Sequence, residues 1–116
     1  MARNFIKSII EAIKRFLEKL KNFVKRIING ILNFIKEVVN YFKALKLVKD
    51  KDIPFIADAD QFKEMIKDAP VKNVGIFEGT LNAETDEIEN VRYIAADEVD
   101  EQTEEVMNGE SVVVLC

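Results

Sequence analysis

From Phe5 to Leu45 the large apolar residues keep one helical phase. Stepped at about 100° per residue, Phe5, Ile9, Ile13, Phe16, Leu20 and Phe23 fall in the same half-circle as Ile27, Ile31, Phe34, Ile35, Val38 and Phe42. Lys, Arg, Glu and Asn fill the opposite half, with Lys14, Lys21 and Lys25 along one border of the apolar face. The pattern predicts an amphipathic helix over residues 4–46, a rod of roughly 65 Å at the α-helical rise. A compact domain built from the remaining chain would be roughly 27 Å across, too short to cover such a face.

A 4-3 spacing runs through Ile6, Ile10, Ile13, Leu17, Leu20, Val24, Ile27, Ile31, Phe34, Val38, Tyr41 and Leu45. Ile28, Leu32, Val39 and Phe42 widen the face beyond a coiled-coil seam, so packing on a surface or in a bundle is favoured over a two-stranded coil. Asn29-Gly30 is the weak point, because glycine inside a helix costs about 1 kcal/mol and Asn-Gly often ends one. A helical hairpin, 4–28 and 31–48, is the alternative. The unbroken phase across the pair favours continuity. Asn4, Asn22, Asn29, Asn33 and Asn40 project together on the polar side, as a solvent-facing stripe or a polar helix contact.

Charge divides the chain at the same place as the pattern. Residues 1–49 hold 12 Lys+Arg against 3 acids, and residues 50–116 hold 5 against 18, within a net charge of −4. Two units are therefore expected: a basic amphipathic helical segment, 1–49, and a small acidic α+β domain, 50–116. In the second unit, Asp58 followed by Gln61 opens a short helix through Lys67 that presents Phe62, Met65 and Ile66. Val71–Leu81 and Ile88–Ala95 form a hairpin around the turn sequence Asn82–Glu87, with Gly75 and Gly79 as bulges or close-approach points. Asp97 caps a helix to about Met107, Asn108-Gly109 stops it, and Ser111–Cys116 forms a buried central strand. The expected fold is α+β: a long N-terminal helix, then an α-β-β-α-β domain with a three-stranded, mainly antiparallel sheet.

Little in the sequence resembles an active site. There is no histidine, and the lone cysteine is Cys116, so neither a Cys/His zinc site nor the commonest neutral-pH base is on hand. No cofactor, metal site or catalytic residue is expected. Asn82, Glu84, Asp86 and Glu87 lack the spacing and glycine of a calcium loop, so a hairpin turn is the simpler account. Glu78 beside Gly79 is an acid with no second catalytic group to nominate. Asp97, Glu98, Asp100, Glu101, Glu104 and Glu105 place six acids in nine residues. They form either a solvated helix face or a docking patch for a basic surface, the chain's own first segment included. Nucleic acid is not expected, because the basic residues flank an apolar helix without a base-reading module and the acidic unit would repel phosphate.

A non-enzymatic assembly or adaptor protein follows, one that packs its N-terminal apolar face against copies of itself or a protein partner. The alternative is a peripheral membrane-surface protein held in-plane on anionic lipid by the same basic helix. No signal peptide or membrane-spanning stretch is visible, so a cytoplasmic and possibly membrane-associated chain is expected.

Overall fold

Val-Lys-Arg-Ile-Ile-Asn-Gly-Ile-Leu, residues 24–32, keeps helical phase but is rich in β-branched side chains, which suit a pleated strand better than a helix. In the computed structural model, which describes residues 5–19, 23–66, 70 and 72–115, this stretch is strand β1, Val24–Leu32. The first helix, α1, ends far earlier than the periodicity implies, spanning Phe5–Glu18. A π-helical turn, Ile35–Val39, then runs into helix α2, Asn40–Ala44. The long helix is therefore corrected, and so is the hairpin alternative. Asn29-Gly30 interrupts neither a helix nor a turn: it sits in a bulge of β1, between Ile28 and Ile31, with Gly30 at φ 131°. Backbone pairing of β1 with a neighbouring strand outweighs the helical phase of its side chains. The longest axis of the molecule is 39 Å, not 65 Å.

The chain is α+β with an N-terminal helix first, and its sheet is mixed and five-stranded rather than three-stranded. After β1 come β2 (Asp52–Asp58), a 3-10 helix (Ala59–Met65), β3 (Val74–Asn82), β4 (Ile88–Val99), helix α3 (Glu101–Met107) and β5 (Val112–Val114). The order across the sheet is β1-β4-β3-β2-β5, with β1 parallel to β4 and the other pairs antiparallel. Residues from both sides of the charge boundary thus hydrogen-bond within one sheet.

Several local expectations hold. Asp58 caps the 3-10 helix by accepting from Asp60 N, and Phe62 and Ile66 are buried; Lys67 lies outside the described residues. The β3–β4 hairpin closes through Asn82 N to Glu87 O, while Asn82 Oδ1 accepts from Glu84 N. Gly75 is a close-approach point: a Cβ there would meet the Tyr93 hydroxyl at 2.6 Å. Asn108, left-handed at φ 46°, ends α3 as expected.

Others are corrected. β2 is an additional strand, seven residues long, at a place where Pro54 removes a backbone donor and so weakens the strand signal. The helix cap is Asp100, not Asp97: β4 continues to Val99, and Asp100 accepts from Thr103 N at 2.9 Å. β5 is an edge strand beside β2 rather than a central one; Cys116 lies outside the described residues. Of the asparagine row, Asn33 accepts from Lys36 N at the start of the π turn and Asn29 accepts from Lys72 Nζ. These two bonds have no partner in common, and Asn4 and Asn22 lie outside the described residues.

Strand alternation sorts the core into two layers. Phe55, Ala57, Phe77, Leu81, Tyr93 and Ala95 face α1 and the 3-10 helix, meeting Ile9, Ile13, Leu17 and Phe62. Ile56, Ile76, Ile94 and Ala96 face the other way, toward Leu32, Phe34 and Val38, with Val106 and Met107 of α3 packed alongside.

Candidate functional site

The expected partner-binding face is divided between core and surface. Ile9 and Ile13 are buried in the first layer, where Phe5, Phe16 and Phe23 pack partly buried. Phe34 and Val38 are buried in the second, with Phe42 against them. Lys14 and Lys25 are exposed; Leu20 and Lys21 lie outside the described residues. What remains on the surface gathers along β1 and the turn that follows. Val24 is 60% exposed, Ile27 55%, Ile31 58% and Ile35 47%. β1 is one of the two edge strands of the sheet, β5 being the other. Charge is carried on the same rim by Lys25 and by Arg26, the latter bound to Glu37.

The six-acid run is also dispersed. Asp97 and Glu98 lie on β4, and Asp97 pairs with Lys72 at 3.1 Å. Asp100 accepts from Thr103 N, the Thr103 hydroxyl and Phe34 N, so it joins α3 to the β1–α2 connection. Burial would raise its carboxyl, but these hydrogen bonds prevail and hold it below the ordinary aspartate value. Glu101, Glu104 and Glu105 are exposed on α3.

Glu104 borders a cleft of about 310 Å³ at the end of the sheet where β2 and β4 finish and β3 begins. Asp58, Asp60 and Glu110 supply the rest of its acidic border, and Ile76, Val99 and Met107 supply an apolar floor. Among the described residues no lysine or arginine lines it. Neither its position nor its floor is visible in the sequence, because five separate elements meet there.

A third cluster sits under the π turn. Glu78, fully buried on β3, accepts from Arg92 Nε on β4 at 2.5 Å. Arg92 Nη2 also donates to the Glu37 carbonyl at 2.6 Å. Arg26 of β1 grips the Glu37 carboxylate, with both contacts at 3.0 Å. The Glu78 Oε2 atom has no hydrogen-bond donor among the described residues. Burial pushes the Glu78 carboxyl up to about 7, against the opposing pull of Arg92. Sequence reading nominates Glu78 alone and misses Glu37, Arg26 and Arg92. A full seal around the carboxylate leaves no approach for a substrate atom, so its geometry fits bracing of β1, β3, β4 and the π turn.

Among the described residues no helix is long and apolar enough to cross a membrane, and no group of three His, Cys, Asp or Glu is placed to hold a metal ion. No protein-family description matches the chain, and neither curated proteins nor solved structures give a match.

Proposed function

We propose that this chain is a non-enzymatic assembly protein that binds another polypeptide through the rim formed by β1 and the π turn. One observation carries it: Val24, Ile27, Ile31 and Ile35, four large aliphatic side chains within twelve residues, are each about half exposed or more. Ile27 and Ile31 stand on the α1 side of this edge strand and Val24 on the other, so a partner would grip the edge from both faces; burying a side chain of this size is worth roughly 1.5–3 kcal/mol. Lys25, Arg26 and the bulge at Asn29-Gly30 discourage open-ended strand addition, which points to docking by side chains.

The membrane alternative keeps one supporting feature, the cations beside Val24 and Ile27. It loses its original one, because the apolar face of α1 is occupied by the first core layer. Sedimentation with and without anionic vesicles tests the choice. A concentration-dependent complex without lipid, abolished by Ile27→Asp, is expected. A monomer at every concentration that pellets with anionic vesicles would replace assembly with the membrane reading.

A further inference from the structure

We infer that Glu78, Arg92 and Glu37 form a proton-operated clasp: two carboxylates compete for one guanidinium, and the winner sets how firmly the π turn is held to the sheet. Ile35 opens that turn and stands on the rim, so the clasp governs the rim's readiness to bind. That last step rests on the assembly role proposed above, while the clasp itself belongs to the chain alone.

The competition is built into the contacts. Glu78 Oε1 accepts from Arg92 Nε at 2.5 Å and pairs with Nη2 as well. Nη2 also donates to the Glu37 carbonyl, and it stands 3.9 Å from the Glu37 carboxylate, too far for a hydrogen bond. With both acids ionised, two carboxylates balance Arg26 and Arg92. A proton on Glu78 leaves Glu37 as the one carboxylate facing both guanidinium groups. That proton goes to Oε2, which has no donor among the described residues, so both Oε1 contacts stay in place as it arrives. Arg92, no longer held by a charged Glu78, then closes on the Glu37 carboxylate and tightens the turn; loss of the proton draws it back to β3. The Tyr41 ring, its centre 4.2 Å from the guanidinium, gives a flat surface for that movement. The groups that face Glu78 are few. β4 supplies Arg92, the π turn Glu37, β1 Arg26 and α2 Tyr41, while β2 sets the apolar Ile56 opposite it. Burial does most to raise the Glu78 carboxyl to about 7; Arg92 and Arg26 oppose the rise and Glu37 adds to it. The chain has no histidine, so no imidazole titrates alongside it.

A pH titration of the intact chain followed by NMR tests the clasp. The Lys36 amide donates to Asn33 Oδ1 and the Asn40 amide to Ile35 O, so both report on the geometry of the turn. Between about pH 5 and about pH 8, these amides, Arg92 Nε and the Glu78 carboxyl carbon are expected to shift with one midpoint. Glu78→Gln should abolish the shifts at Arg92 and at both amides. Glu37→Gln separates movement from a mere change of field: Glu78 still titrates, but the competing carboxylate is gone and the amide shifts should largely disappear. Wild-type shifts at Ile13 of α1 certify that each variant is folded. Amide shifts that persist undiminished in Glu37→Gln overturn the clasp, and so does a wild-type Glu78 that titrates while the turn amides stay still. A turn held loosely must be ordered on binding, so wild-type association is expected to weaken at least about fivefold from about pH 5 to about pH 8, with Glu78→Gln level. A wild type as level as Glu78→Gln overturns control of the rim. A wild type that is monomeric throughout removes the assembly role, and the NMR titration still decides the clasp.

Discussion

Arg92 lays its guanidinium 4.2 Å from the centre of the Tyr41 ring, a contact between strand β4 and helix α2. The same guanidinium holds Glu78 on one side and the Glu37 carbonyl on the other, while Tyr41 donates to Asn90 O at 2.6 Å. Three strands and the helical arm above them meet at this arginine.

Stability should fall as pH rises through the range set by Glu78. Its carboxyl titrates near 4.5 in the unfolded chain and at about 7 when folded, so the fold binds the extra proton. This contribution is fully present below 4.5 and lost by the time pH passes about 7. Asp100, shifted downward, acts at lower pH and leaves that window alone. Glu78→Gln should flatten the profile, gaining about 3 kcal/mol on the wild type between pH 5 and pH 8. Urea midpoints across that range are the measurement, and parallel curves for the two proteins would contradict it.

Removing Arg92 leaves Glu78 without its donor, and burial then keeps the carboxyl protonated at neutral pH. Arg92→Ala is expected to destabilise by about 1–3 kcal/mol, the cost of a buried oxygen that has lost its hydrogen bond. Adding Glu78→Gln should recover much of the loss. A double-mutant cycle gives the coupling, and simple additivity would mean the pair acts independently.

Gly75→Ala should destabilise through a single contact. The added Cβ would lie 2.6 Å from the Tyr93 hydroxyl and 3.1 Å from two ring carbons. Overpacking of this kind costs about 1–3 kcal/mol. Tyr93→Phe in the same chain removes the nearer clash and should restore part of the stability, as read by thermal melting.

Gly30→Ala separates the strand from the helix by sign. At φ 131° an alanine is strained, and a loss of about 1–3 kcal/mol is expected. In a continuous helix the same change would stabilise by about 1 kcal/mol. A rise in melting temperature would therefore remove β1 from the fold.

Much of the acidic half was legible because its signals are local. Asn82–Glu87 carries its own turn chemistry, and Asn108 takes the left-handed position that stops α3. The partner of Glu78 was nearly within reach. Counting back from Leu81 opposite Ile88 places Val91 across from Glu78, but the irregularity at Gly79 shifts the register by one and brings Arg92 there. The basic half was misread because Ile27-Ile28 and Ile31-Leu32 satisfy helical phase and strand propensity alike. Only pairing with β4 decides between them, and that strand lies in the other half of the chain. The cleft was invisible for the same reason, since Ile76, Glu104 and Glu110 come from distant segments. Asp97 is displaced as the cap because β4 runs on to Val99, which moves the start of the helix to Asp100.

The parallel pairing of Val24 with Arg92 also imposes an order of events during synthesis. β1 leaves the ribosome well before any strand exists for it to pair with, and its neighbour is complete only when Val99 has been added. Until then the nascent chain presents a cationic, aliphatic stretch with nothing to shield it. Closing so distant a contact is slow compared with forming a local helix. The ribosome-bound chain is thus open to chaperones and to neighbouring nascent copies for as long as β4 is unfinished, and only the β2–β5 pair waits on later residues.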